Sequence, residues 1–379
     1  MAMTPKSNGT EAPETQCEYH IDTPTEQVFK CVAYFIIMFG SLIGNVFVIF
    51  VVILNRQMRT VTNYLIVNMA VADLLLTAFN MPITIKVIAT GRMDWFDNVS
   101  SEILCKTLPF IQSLSVASSV LSLTAIAIDR FLAIMYPLKR YITFHISYGI
   151  ITIVWIVGIA VNSPFFYAQK LVFYEEFQNW YCAEIWTPAF REEANKDFTI
   201  VIFVIFYVIP LLSMSVLYSF VVYKLWVRKV PGNQTAENQL RADNSKKKVL
   251  KMLLAVVILF ALCWLPVYVT QFISFFGGEN FPCGPPHPLP FMGYFLGHAN
   301  SAINPAIYVI FNSNYRKGFR DVLLCRCRRN RVAPQSQART VIGEDNSYID
   351  GASVALARLR PREPLKEKKE PSKASASSG

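Results

Sequence analysis

Seven stretches of this chain are each long and apolar enough to cross a bilayer: Val28 to Leu54, Tyr64 to Ala89, Glu102 to Tyr136, Ile146 to Ala168, Phe198 to Val227, Val249 to Phe276 and Pro288 to Phe311. A helix needs about 20 mostly apolar residues to span the hydrocarbon core, whereas a barrel strand needs only about 10. Inside lipid the backbone must satisfy its own hydrogen bonds, and segments of this length do so as helices. The expected fold is therefore an all-α membrane protein, a bundle of seven transmembrane helices. Composition agrees, since only 16% of residues are charged and 53% are hydrophobic. Soluble domains carry about 25% charged residues, so this chain lacks the polar surface to cover itself in water.

The net charge of +10 would ordinarily raise nucleic acid as a partner. Its distribution argues otherwise. With the amino terminus outside, the inner segments hold 28 of the 36 basic residues, which is the bias of cytoplasmic loops. The outer segments hold 15 of the 26 acids, so the net value conceals two surfaces of opposite sign. An odd number of spans places the carboxyl terminus inside. Residues 1–27 read as a polar outer arm without a cleavable signal, so the first span is expected to target the chain. Residues 28–311 form the bundle, 312–327 a short amphipathic eighth helix, and 328–379 a tail whose composition builds no core.

Cys105 opens the third span and Cys182 lies in the second outer loop, both in an oxidising compartment, so a bridge between them is expected. Cys325 and Cys327 sit among arginines just inside the last span, a setting for palmitoylation. Cys263 reads as a packed thiol; Cys17, Cys31 and Cys283 are left over, with a Cys17–Cys283 bridge not deducible. Ionisable groups at membrane depth are costly unless they face the bundle interior. Asp73 is the deepest. Ser119, Asn300, Ser301 and Asn304 recur at comparable depth, as does Asn45. One carboxylate among hydroxyl and amide oxygens suits a sodium ion or a water network, the alternative being a polar core that sets helix register. Asp129-Arg130-Phe131 ends the third span, and prolines at 82, 164, 210, 266 and 305 are expected to kink the other helices.

Together these residues resemble the rhodopsin-like G-protein-coupled receptors, from about Val28 to Cys327. The resemblance rests on Gly44-Asn45, Ala72-Asp73, Cys105, Asp129-Arg130-Phe131, Trp155, Pro210 with Tyr218, the run Phe260 to Pro266 including Trp264, and Asn304-Pro305-Ala-Ile-Tyr308. It implies that Trp264, Phe260, Val120 and Pro210 couple an outer pocket to the inner end of the sixth helix. Arg130, Tyr218 and Tyr308 would then rearrange, with Asp129, Pro266 and Pro305 in support, to admit a heterotrimeric G protein. Two departures stand out: Phe131 replaces the usual Tyr, and Lys246 to Lys248 stand where some members place an acid facing Arg130. Raised basal activity is the corresponding expectation.

The seventh span has no lysine for a retinal Schiff base, and His298 stands at that position. Gln112 stands where amine receptors carry an aspartate. The chain looks instead like the peptide branch, in particular receptors for neuropeptide FF, orexin and neuropeptide Y. Gln112, Tyr268, Gln271, Tyr294 and His298 resemble pocket positions of that branch and offer groups able to hold a terminal amide. Alternating apolar residues between Lys170 and Trp186 predict a hairpin that Cys182 pins over the pocket mouth. The outer acids favour a cationic ligand. Among them Glu184 is the expected partner of a peptide arginine, while Glu192 and Glu193 read as loop solubility.

A non-peptide ligand or an ion transporter using Asp73 are the rival readings. An enzyme finds no support, for the chain has no phosphate loop, metal-spaced histidine pair or serine elbow. No cofactor is expected beyond sodium. Asn8 and Asn98 lie in glycosylation sequons, and Ser336, Thr340 and Ser347 are candidates for receptor kinases feeding arrestin. The expected location is the plasma membrane.

Overall fold

The computed structural model describes residues 21–92, 95, 96, 98–139, 141–175, 178–227 and 235–324, with the side chains of 225–227 and 235–247 outside that description. Asn8, Cys17, Lys246, Cys325, Cys327, Ser336, Thr340, Ser347 and the tail 328–379 lie outside the described residues or side chains.

The first four spans are α1 (Pro24–Leu54), α2 (Val61–Thr90), α3 (Val99–Met135) and α4 (Phe144–Asn162). Their starts are written in the sequence. Thr23 accepts from the Glu26 amide while the Glu26 carboxylate accepts from the Thr23 amide at 2.8 Å, a reciprocal cap completed by Pro24 in the first turn. Thr60, Asn98 and Thr143 cap the next three helices in the same way, each accepting from an amide three residues on. A one-turn α5 (Phe165–Ala168) follows the break at Pro164 and leads into the outer hairpin, β1 (Gln169–Tyr174) and β2 (Asn179–Glu184). The strands pair antiparallel with Leu171 opposite Cys182, as the alternation predicts.

The fifth span is built of α6 (Ala194–Phe203), a π turn (Val204–Val208) and α7 (Ile209–Val227). Pro210 lacks an amide hydrogen and its ring crowds the preceding turn. The chain widens just ahead of it, and the Ile209 amide reaches back five residues to the Val204 carbonyl. The expected kink at Pro210 is thus a local widening. The sixth span is α8 (Thr235–Phe276), which starts well before the predicted Val249, and the seventh is α9 (Pro288–Phe311). Pro82, Pro266 and Pro305 lie inside their helices, as does Pro109, which the sequence reading passed over. Among the described residues six spans meet the length and composition of a membrane crossing. The seventh, α9, carries His298, Asn300, Ser301 and Asn304, all buried, and packs on α1, α2 and α8.

α10 (Ser313–Leu323) is the expected amphipathic helix. Tyr315 is fully buried, its hydroxyl reaches Asn63 Oδ1 at 3.2 Å, and Phe319 meets Phe47 edge to face. Gly44 permits a comparably close approach of α1 to α9: a Cβ there would fall 2.8 Å from Pro305 Cβ and Cγ. Gly44→Ala should therefore cost about 1–3 kcal/mol through overpacking between two helices that cannot yield. Gly149→Ala, with nothing within 4 Å of the added carbon, should leave stability unchanged or slightly raised. Melting of the two purified variants in detergent checks this, and equal Tm values would contradict it.

Candidate functional site

Polar side chains run along the bundle axis in three tiers. At the inner end Asp129 accepts from Thr62 Oγ1 at 2.8 Å, which ties α3 to α2, and from Arg130 at 2.5 Å. Arg130 is therefore held by its own neighbour. Tyr218 is buried with its hydroxyl unpartnered among the described residues, and buried Tyr308 lies against Tyr315 at 5.5 Å. Phe131 meets Phe220 edge to face, so the replacement of the usual Tyr packs as an apolar ring against the fifth span.

The middle tier holds the residues that sequence reading grouped by depth. Asn304 Nδ2 donates to Asp73 Oδ2 at 3.0 Å, joining α9 to α2. Asn45 Nδ2 donates to the carbonyls of Ser301 and Ser41, each at 3.0 Å, joining α1 to α9. Asn68 donates to Ser122 Oγ at 2.8 Å and accepts from Trp155 Nε1 at 2.8 Å, so one amide links α2, α3 and α4. A cavity of about 10 Å³ sits between Asp73, Ser115, Ser119, Trp264, Asn300 and Ser301, among others. The Asp73 carboxylate and the unpartnered, buried Asn300 Oδ1 are hard oxygens of the kind a monovalent cation takes. Asn304 turns its nitrogen, not its oxygen, to Asp73 and so stands as a donor to the carboxylate. Val120, Phe260, Trp264 and Pro210 are all buried above and around this tier, and Phe260 lies 6.4 Å from Trp264 between ring centroids.

At the outer end the Cys105–Cys182 disulfide is present and fixes β2 to the top of α3. Cys31 and Cys263 are free, the latter buried as expected, and Cys283 is disulfide-bonded. Glu184, at the end of β2, accepts from Trp186 Nε1 at 2.7 Å and lies in electrostatic reach of the Tyr294 phenol. Burial pushes its carboxyl above the ordinary range, against the opposing effect of the Trp186 hydrogen bond. Two other outer acids are engaged locally, Glu193 with Lys196 at 2.9 Å and Asp197 with Arg191, on exposed surface where such pairs contribute little.

The remaining pocket candidates separate. Gln112 and Gln271 are half-buried and Tyr294 is partly exposed. Tyr268 is buried between Phe203 and Tyr207, with ring centroids 5.0 Å from each. His298 is 2% exposed beneath Tyr34, and neither ring nitrogen has a partner among the described residues. Tyr268 and His298 are thus packed against neighbouring aromatic rings. The sequence reading missed Trp186 and Tyr34, which are recognised only by what they touch. Asn98, a sequon residue, caps α3 through Oδ1, which is not the atom a glycan takes.

A multi-pass bundle with a polar axis, a pinned outer hairpin and an inner Asp-Arg pair defines a membrane receptor architecture. Residues 44–308 match the model of the 7 transmembrane receptor (rhodopsin family), and the chain belongs to that family. It is 35% identical over 324 residues to a QRFP-like peptide receptor of Branchiostoma floridae, covering 83% of this chain and 81% of that one. It is 33% identical to neuropeptide FF receptor 2 of Rattus norvegicus over 346 residues, covering 85% and 78% of the two chains. To the rat pyroglutamylated RF-amide peptide receptor it is 30% identical over 344 residues, or 87% and 76%.

Proposed function

We propose that the protein is a plasma-membrane receptor for a basic, C-terminally amidated peptide of the RFamide kind. Its amino terminus is outside, and it signals to a heterotrimeric G protein by outward movement of the inner end of α8. The names of its relatives, receptors for QRFP-like, neuropeptide FF and RF-amide peptides, support the ligand class. The carrying observation is Glu184. It is desolvated at the bundle mouth on a strand that a disulfide holds in place, and among the described residues no lysine or arginine forms an ion pair with it. A ligand guanidinium would pair with this carboxylate through charge-assisted hydrogen bonds. Gln112, Gln271 and Tyr294 are the groups for the terminal amide.

Arg130, Tyr218 and Tyr308 form the inner crevice for the G protein, and the tail serves receptor kinases and arrestin. Asn8 and Asn98 carry glycans, and Cys325 and Cys327 carry palmitate. Sodium at Asp73 favours the resting arrangement; receptor Tm should rise in sodium over choline chloride, and not in Asp73→Asn. Equal Tm in the two salts would remove the ion.

Glu184→Gln should weaken an amidated peptide ending in arginine-phenylalanine by tenfold or more, on the order expected of a desolvated charge pair. Glu193→Gln should change affinity little, since Lys196 already neutralises it. The Glu184 carboxyl titrates above the ordinary carboxylate range, so affinity should be full at neutral pH and fall as acid protonates it, while Glu184→Gln lacks that limb. Radioligand competition at controlled pH reads all of this. Equal losses for both variants, or none for Glu184→Gln, would discard the assignment.

A further inference from the structure

Trp186 is 6% exposed although it lies in an outer loop just beyond the hairpin. Its ring is enclosed by Phe198 at 5.0 Å and Phe190 at 5.6 Å. Those two rings are supported in turn: Phe198 meets Phe165 at 5.1 Å, Phe190 meets Tyr167 at 5.4 Å, and the Tyr167 hydroxyl accepts from the Ala189 amide at 3.0 Å. The box therefore draws on α5, the loop and α6. An indole so enclosed has one orientation, and that orientation aims its N–H at Glu184 Oε1, 2.7 Å away. A buried indole usually finds a partner for its N–H, but here the partner is an acid facing the bundle mouth rather than a backbone carbonyl.

The groups around Glu184 make this contact decisive. On β1 its register partner is Gln169, and Tyr294 faces it from α9. Lys170, the nearby cation of the hairpin, directs its ammonium to the Thr187 carbonyl at 2.8 Å and over the Tyr167 ring at 4.9 Å. Trp186 is thus the donor that fixes Glu184 Oε1.

We propose that Trp186 is a positioning residue for ligand arginine, holding the Glu184 carboxylate ionised and aimed from an aromatic box built by the junction of the fourth and fifth spans. This rests on the reading of Glu184 given above. It assigns selectivity for arginine to a residue outside the pocket wall.

The test uses the full-length, epitope-tagged receptor on cells, with affinities normalised to surface expression. The probes are a short amidated peptide ending in arginine-phenylalanine and the same peptide with citrulline, a neutral isostere, in place of arginine. Trp186→Phe keeps a ring in the box and removes the donor. Affinity for the arginine peptide should fall about tenfold, the effect of one hydrogen bond to a charged group, while the citrulline peptide is unaffected. The acid limb of arginine-peptide binding should also move to higher pH, because the hydrogen bond favours the ionised carboxylate. Trp186→His, which retains a ring N–H, should restore part of the arginine preference.

Equal losses for both peptides, with no movement of the pH limb, would reduce Trp186 to a packing residue and overturn the proposal. If Glu184→Gln abolishes arginine preference and Trp186→Phe does not, the Trp186 assignment alone fails. If preference survives both, the Glu184 reading fails with it. Should Trp186→Phe not reach the surface, Phe198→Leu loosens the box from its far side; an undiminished arginine preference there overturns the proposal, and a reduced one supports it.

Discussion

A polar side chain at membrane depth is costly unless it finds a partner inside the protein, because lipid offers none. That constraint organises this bundle. The side-chain amide nitrogens of Asn45, Asn68 and Asn304 each meet it by reaching across to another helix, so the same bonds that make these donors tolerable also set the register of α1, α2, α3, α4 and α9. Asp129 extends the pattern to the inner surface through Thr62. The glycine at 44 lets α1 approach α9 closely enough for the Asn45 amide to reach the Ser301 carbonyl.

Tiers built this way divide the labour of a receptor. The outer hairpin is fixed to α3 by a disulfide and carries an acid; the middle tier holds a small cavity walled by Asp73, Ser115, Ser119 and Asn300 together with Val116 and Trp264; the inner tier holds Arg130 against Asp129. The fifth and sixth spans take little part in the middle network. The fifth is interrupted by a π turn, and the sixth carries Pro266 within its helix.

Much of this was legible in the sequence. Apolar runs gave the spans and period-two alternation gave the hairpin, whereas the helix starts at Pro24 and Phe144, set by the caps Thr23 and Thr143, precede the apolar runs at Val28 and Ile146. What escaped were properties of contacts between distant residues. Depth along a helix grouped Asp73 with Asn304, but only the fold shows that the amide nitrogen faces the carboxylate. Proline chemistry predicted a kink at 210, while the chain's remedy, one wider turn, depends on what surrounds it. The long start of α8 lies in a polar stretch with no apolar periodicity to announce it. Trp186 carries no signal in the sequence, because its meaning lies in Phe190, Phe198 and Glu184 together.

In the proposed orientation the net charge of +10 resolves into an acidic outer face and a basic inner one, the distribution that the proposed cationic peptide and G protein would call for. The central claim is that these two faces are coupled through the bundle. Binding of a labelled amidated arginine-phenylalanine peptide to membranes holding the receptor and G protein, with and without a non-hydrolysable GTP analogue, tests it most directly. Coupling is reciprocal, so the nucleotide should abolish a high-affinity class of sites and leave a weaker one. Saturable peptide binding that ignores the nucleotide with every G-protein class supplied would contradict the account.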